Sequence, residues 1–180
     1  MIVVGDNLKQ LIDQHQMVLP FNDSFDVNSI ALSLDKKIVH ITPTSIDDQI
    51  ITYGSALPAT WIKEVNINNH DGVIIEPKSC VLACSFEKIA IPMGYFGLLQ
   101  TKGSLARLFV SLHCSDGQIE AGFDGKITFE ICNLSNFRVR LRAGDKVGSL
   151  FVIKTSTRDT KPYGGRYNSA DRPTIQTPQQ

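Results

Sequence analysis

"GKITFEICN", residues 125–133, is the stretch whose reading decides the fold. Ile127, Phe129 and Ile131 alternate with Thr128, Glu130 and Cys132, the period of two expected of a strand with one face in a core. The same kind of segment recurs on either side as "GVIIEP", "CVLACSFEKIAI", "GYFGLLQ", "LFVSLHC", "FRVRL" and "KVGSLFVI", each short and bounded by Gly, Pro, Asn or Asp. Strands at such spacing predict a mainly β chain of sandwich or barrel type.

Upstream, the β pattern begins at "NSIALSL", where Ile30, Leu32 and Leu34 share a face. Before it, "GDNLKQLIDQH" places Leu8, Leu11 and Ile12 at helical spacing behind Asp6 or Asn7 as a cap, so a short N-terminal helix is expected. Residues 42–71 carry turn chemistry in "TPTS", "GSALPAT" and "NINNHDG" and read as an irregular excursion anchored by Trp61. The polar, Gly- and Pro-rich end has too little apolar area to order itself, and is either dispensable or an arm that orders on a ligand. The expected organisation is a single β domain over 1–160 and a flexible C-terminal arm over 161–180.

The chain has 180 residues, 42% of them hydrophobic, enough for one compact core. Eighteen basic and eighteen acidic side chains cancel, which excludes a global field for nucleic acid or an anionic membrane. Any anion site must therefore be local. No apolar run approaches the ~20 residues that span a bilayer, and "MIVVGDNLKQ" lacks a basic secretion n-region, so a soluble cytoplasmic protein is expected. Cys80, Cys84, Cys114 and Cys132 lie in or beside apolar stretches and are expected to be reduced and buried.

Three groups of residues carry chemistry. Glu130 sits mid-strand beside Phe129 and Cys132; covered by a partner subunit it would be desolvated and its pKa raised toward proton-transfer range, and uncovered it is a plain strand glutamate. "TKGSLAR", residues 101–107, reads as the start of a short helix, where free N–H groups near Ser104 with Lys102 and Arg107 would attract an anion. A capped surface helix has the same pattern. "HCSDGQIEAGFDG", residues 113–125, offers glycines that permit close approach of a flat ligand and Glu120 as an acceptor for a sugar hydroxyl; a hairpin loop explains the glycines equally well. His113 next to Cys114 has no second pair at ligand spacing, so no metal site is expected in the protein itself. Arg138, Arg140 and Arg142 share one strand face, solvated or in a subunit contact.

Taken in order, "TKGSLARLFVSLHCSDGQIEAGFDGKITFEICN", "RAGDKVGSLFV" and "PYGGRYNSADRPT" resemble the dCTP deaminase family of the dUTPase-like superfamily. The family runs R-S-S-L-A-R, V-H, I-D-P-G-F-x-G-x-I-T-L-E-L-x-N, P-G-x-x-I-G-Q-L and Y-x-x-K-Y. The resemblance implies a distorted β-barrel or jelly-roll-like dUTPase-like fold, assembled as a homotrimer with shared active sites, in a bacterial, archaeal or phage-infected cell. It implies deamination of dCTP, or of a modified deoxycytidine nucleotide, to dUTP and ammonia. A dUTPase-type or bifunctional pyrophosphatase yielding dUMP, and a catalytically silent nucleotide-binding regulatory trimer, are the alternatives. Mg²⁺ would be bound through the nucleotide triphosphate, with no zinc.

Carried over by position, Glu130 matches the glutamate that shuttles protons as water attacks C4 of cytosine, and Arg107 the arginine that orients it. Lys102, Gly103 and Ser104 fall on the phosphate turn, Asp116 beside the base, Glu120 on the aspartate near the deoxyribose, and Arg166 with Tyr167 on the closing tail. Zinc-dependent nucleobase deaminases need H-x-E and P-C-x-x-C, and neither string occurs. Some positions depart from the pattern. Gly103 lacks the first serine hydroxyl of R-S-S, a loss of the kind that costs ~2.7–4 kcal/mol of transition-state stabilisation. Lys102 lacks the bidentate fork of arginine, and Asp116 adds a carboxylate where alanine is usual.

Overall fold

The computed structural model describes residues 1–21, 23, 25–44 and 50–176. In chain order its strands are β1 (Ile2–Val3), β2 (Val18–Leu19), β3 (Ile30–Ser33), β4 (Lys37–Ile41), β5 (Ile62–Asn66), β6 (Val73–Ile75) and β7 (Cys80–Ala90). There follow β8 (Tyr95–Thr101), β9 (Val110–Ser111), β10 (Gln118–Ile119), β11 (Asp124–Asn133), β12 (Val139–Leu141) and β13 (Lys146–Lys154). The helices are α1 (Gly5–His15) and the single turn α2 (Gly103–Ala106).

One sheet runs β1-β13-β8-β10, with β3 also on β13; the other runs β5-β4-β7-β11-β9, with β2 also on β7. β12 and β6 pair separately, and every ladder is antiparallel. The two open sheets contribute to one buried cluster, Leu99, Leu150 and Val152 from the first and Ile89, Phe129 and Ile131 from the second. This is the mainly β, distorted form of the expected fold.

β11 realises its alternation: Ile127, Phe129 and Ile131 are buried, Thr128 and Glu130 half-buried on the opposite face. Against β7 the register shifts between Lys126 and Thr128. Ser85 absorbs the irregularity: its Oγ accepts the Ile127 N–H at 2.9 Å and donates to the Glu87 carbonyl at 2.6 Å, so no polar group there loses its partner. Nearby, Lys126 Nζ meets Asp35 Oδ2 at 2.6 Å. Burial would raise the Asp35 carboxyl, but the ammonium and the Lys36 N–H outweigh it and hold the group below its ordinary value.

Two local readings change. The α1 N-cap is Val4 without a side-chain hydrogen bond, and Asp6 lies inside the first turn, where its charge complements the helix dipole. Leu8, Leu11 and Ile12 are buried as their spacing requires. The excursion over 42–71 contains a strand: β5 pairs along the whole of β4, from Lys37 with Asn66 to Ile41 with Ile62. Charged residues interrupt the alternation of both, and pairing with each other stabilises them. Trp61 is buried and anchors the segment as expected; residues 45–49 lie outside the described residues.

The arm beyond residue 160 lies along the start of β11. Tyr163 N–H donates to the Ala121 carbonyl at 2.7 Å, Ser169 N–H to Asp124 at 2.6 Å, and Lys126 N–H to Ala170 at 2.7 Å. Further on, Thr174 N–H donates to Thr128 Oγ1 at 3.0 Å. Backbone pairing, which a reading by apolar area leaves out, is what orders it; residues 177–180 lie outside the described residues. Among the described residues no helix is long and apolar enough to cross a membrane.

Candidate active site

Beside β11 opens a cavity of about 640 Å³ whose walls include Asp116, Glu120, Glu130, Tyr163, Tyr167 and Thr174. Three pieces of chain build it: the outward face of β11, the loop and short strand β10 before it, and the returning arm. The strand fixes Glu130 because its neighbours Phe129 and Ile131 are locked in the core on the other side.

Burial is the main reason the Glu130 carboxyl sits above its ordinary value of 4.5, and the Asp116 charge adds to it. The Cys114 backbone N–H, 3.4 Å from Glu130 Oε2, pulls the other way. A carboxyl raised in a cavity is poised to accept and return a proton. Asp116→Asn removes the like charge, so the Glu130 titration midpoint is expected to move down, as read by carboxyl carbon NMR in the free protein; an unchanged midpoint would show that the two acids do not sense each other.

The glycines of "GFDG" make room for the chain itself. A Cβ on Gly122, at φ +88, would lie 2.6 Å from Pro162 Cβ and 2.8 Å from the Tyr163 nitrogen, and one on Gly125 would lie 2.9 Å from the Ala170 nitrogen. The close approach read there as that of a flat ligand is the approach of the arm that forms the cavity's outer wall.

The turn at 102–107 is helical as expected, α2, with Leu105 buried beneath it. Its polar residues are not among those lining the Glu130 cavity. Lys102 Nζ contacts both Asp26 carboxylate oxygens at 2.6 Å and holds that carboxyl below its ordinary value, with the Ser29 and Ser149 hydroxyls adding to the effect. A phosphate at Lys102 would have to compete with Asp26, a partner 76 residues away that no local pattern announces. Arg107 is exposed and its Nη1 donates to the Gly103 carbonyl at 2.9 Å; Ser104 is exposed on the same turn.

Thus one chain gathers Glu130, Asp116, Glu120 and Tyr167, and sets Lys102, Gly103, Ser104 and Arg107 elsewhere. Arg166 lines an adjoining pocket of about 360 Å³ that shares Tyr167 and Thr174 with the first. Arg138 and Arg142 are exposed in the single chain, their Nε atoms donating to Glu76 Oε2 and the His70 carbonyl. All four cysteines are free; Cys84 and Cys132 are buried, but Cys80 and Cys114 are exposed because they sit at a strand end and in a loop. The contact of the Cys114 N–H with Glu130 is a feature of the candidate site that side-chain chemistry could not reveal. Among the described residues no group of three or more His, Cys, Asp or Glu is disposed to hold a metal ion.

The model of the dCTP deaminase-like family matches residues 2–155. The chain is similar to a "dCTP deaminase, dUMP-forming" of Corynebacterium glutamicum, 28% identical over 174 residues and covering 91% of this chain and 86% of that one. The protein of the same name from Methanosphaerula palustris is 33% identical over 165 residues, with 91% and 86% covered. A crystal structure of 2'-deoxycytidine 5'-triphosphate deaminase from Agrobacterium tumefaciens shares the fold, with a TM-score of 0.63 at 17% identity over 84% of this chain. This chain spans 47% of that solved chain.

Proposed function

The chain belongs to the dCTP deaminase-like family, and from that premise we propose that it hydrolyses dCTP, releasing ammonia and then pyrophosphate to leave dUMP. The observation that carries the reading is Glu130, a carboxyl raised by burial on the wall of a cavity large enough for a nucleotide.

In the first step Glu130 takes a proton from water as the oxygen bonds to C4 of cytosine. It returns the proton to the exocyclic amine, the C4–N bond breaks to release ammonia, and the second water proton passes from the C4 hydroxyl to N3 to leave uracil. The second hydrolysis places water on the α-phosphorus and expels pyrophosphate, with Glu120 on the same cavity wall to accept the proton. Overall, dCTP and two waters give dUMP, ammonia and pyrophosphate. The names of the relatives favour dUMP over dUTP as the end product.

Arg107 stands outside this cavity in its own chain, so its part in orienting the water and Glu130 requires a neighbouring protomer to deliver it. The surface around it suits a second copy: Phe109 is 64% and Leu134 58% exposed, and the Leu134 N–H donates to the Phe109 carbonyl at 2.9 Å. A homotrimer with shared sites satisfies both facts. The triphosphate would then bind on Ser104 and Arg107 of the neighbour, with Lys102 nearby, while Arg166 and Tyr167 close from the arm. A Mg²⁺ carried on the triphosphate would neutralise phosphate charge there.

The test is the purified chain with Mg²⁺ and each deoxynucleotide, following ammonia and pyrophosphate together alongside a mass measurement of the assembly. Equal ammonia and pyrophosphate from dCTP are expected. Ammonia alone would place the end product at dUTP, and binding without either product would favour the regulatory trimer.

A further inference from the structure

Three of the four cysteines meet beside Glu130. Cys132 on β11 lies directly across the ladder from Cys80 on β7, their Sγ atoms 2.6 Å apart. Cys114, in the loop after β9, brings its Sγ to 3.2 Å from that of Cys132. The Cys114 N–H is the donor to Glu130 Oε2, and Asp116, which raises the Glu130 carboxyl, follows two residues later. Cys80, Cys114 and Glu130 line a second cavity of about 580 Å³, and both of these cysteines are exposed. A small molecule therefore has a path to the sulfurs.

We propose that these thiols form a peroxide-responsive modification site, in which a reversible Cys114–Cys132 disulfide disables the neighbouring Glu130 carboxylate. Cys132 is buried, and burial with two adjacent sulfurs pushes its thiol up, so the first attack comes from an exposed thiol, and of Cys80 and Cys114 the second lies on the loop that is free to move. The Cys114 thiolate attacks one oxygen of a hydroperoxide: an S–O bond forms, the O–O bond breaks, and the alkoxide leaves and is protonated to an alcohol. The Cys132 sulfur then attacks the sulfenic sulfur, the S–S bond forms, the S–O bond breaks, and the hydroxyl leaves as water with the Cys132 proton. Two thiols lose two electrons and one hydroperoxide becomes alcohol and water.

The loop cysteine is the productive partner because a disulfide has a demanding dihedral. Cys80 and Cys132 are pinned opposite each other in a hydrogen-bonded ladder, whereas the segment around Cys114 is a loop whose next residue, Ser115, is already at φ +70. Closing the sulfurs from 3.2 Å to about 2.05 Å moves the loop that carries both the Cys114 N–H and Asp116, and breaks the already long 3.4 Å contact with Glu130. A shift of about 1 Å at a reacting group costs on the order of 10²-fold in rate.

The effect on turnover rests on the deaminase reading; the disulfide does not. The full chain is treated with stoichiometric tert-butyl hydroperoxide, alkylated with iodoacetamide, digested and mapped by mass, with ammonia release from dCTP and the Glu130 carboxyl titration measured before, after, and after dithiothreitol. Expected are a linked Cys114–Cys132 peptide pair, ammonia release lower by on the order of 10²-fold, and a Glu130 midpoint that rises, because the Cys114 N–H that holds it down acts more strongly than the Asp116 charge that moves with the same loop, all reversed by dithiothreitol. The Cys132→Ala chain, against its own untreated sample, is expected to keep its ammonia release. Full alkylation of Cys114 after peroxide, a disulfide confined to Cys80 and Cys132, or a fall that dithiothreitol does not restore would overturn the proposal. If the untreated chain releases no ammonia, the deaminase reading fails alone, and the peptide map with the Glu130 midpoint still decides the thiol site.

Discussion

Glu130→Gln is expected to lower ammonia release from dCTP by roughly 10²–10⁴-fold, the usual contribution of a positioned general acid–base group. Glutamine keeps the shape and still accepts the Cys114 N–H, so the loss isolates proton transfer from positioning. Nucleotide binding, measured by calorimetry, is expected to persist. The stability effect has the opposite sign to the catalytic one. A carboxyl raised in the folded state contributes stability that is complete below its ordinary value of 4.5 and is lost as pH rises through the folded value. Above that folded value the half-buried, ionised side chain weakens the fold, and the neutral amide relieves it. Urea midpoints at pH 7.5 should therefore be equal or higher in the variant. Retained ammonia release, or a variant that loses turnover only because it unfolds, would remove Glu130 from the chemistry.

One residue away, Phe129→Ala is expected to cost about 3–5 kcal/mol of stability. Phe129 is 0% exposed and lies in the shared core with Ile89, Ile131 and Leu150. Strands locked into two ladders cannot collapse onto the cavity that alanine leaves. Against a total of roughly 5–15 kcal/mol for a native protein, the variant should be largely unfolded in mild denaturant. A midpoint shift worth less than ~1 kcal/mol, small beside the range for such truncations, would mean that β11 does not hold the core together. The two expected results separate the faces of the strand: Phe129 on the side that holds the core, Glu130 on the side that lines the cavity.

The assignment of sides was legible in "GKITFEICN", because alternation is a property of consecutive residues. The one-turn helix at 103–106 and the buried face of α1 were legible for the same reason. β4 and β5 were not, since "KIVHI" and "IKEVN" mix charge into their pattern and become strands only by lying against each other. Glycines at 122 and 125 announced that something comes close, but a backbone cannot say from its own sequence what approaches it; here it is residues 162–170 of the same chain. Lys102 was legible as a charge and not as a pair, because Asp26 reaches it only after β3 has docked on β13.

By itself the sequence determined the mainly β character, the single core and the face on which Glu130 stands, because these follow from local period and composition. Only the tertiary structure decided what surrounds that glutamate: Asp116 and the Cys114 N–H at its side, the returning arm across the cavity, three sulfurs in contact, and Arg107 outside the residues that line the cavity. Those neighbours come from segments separated by tens of residues, and their meeting depends on ladder register and loop closure, which are set by the packing of the whole chain.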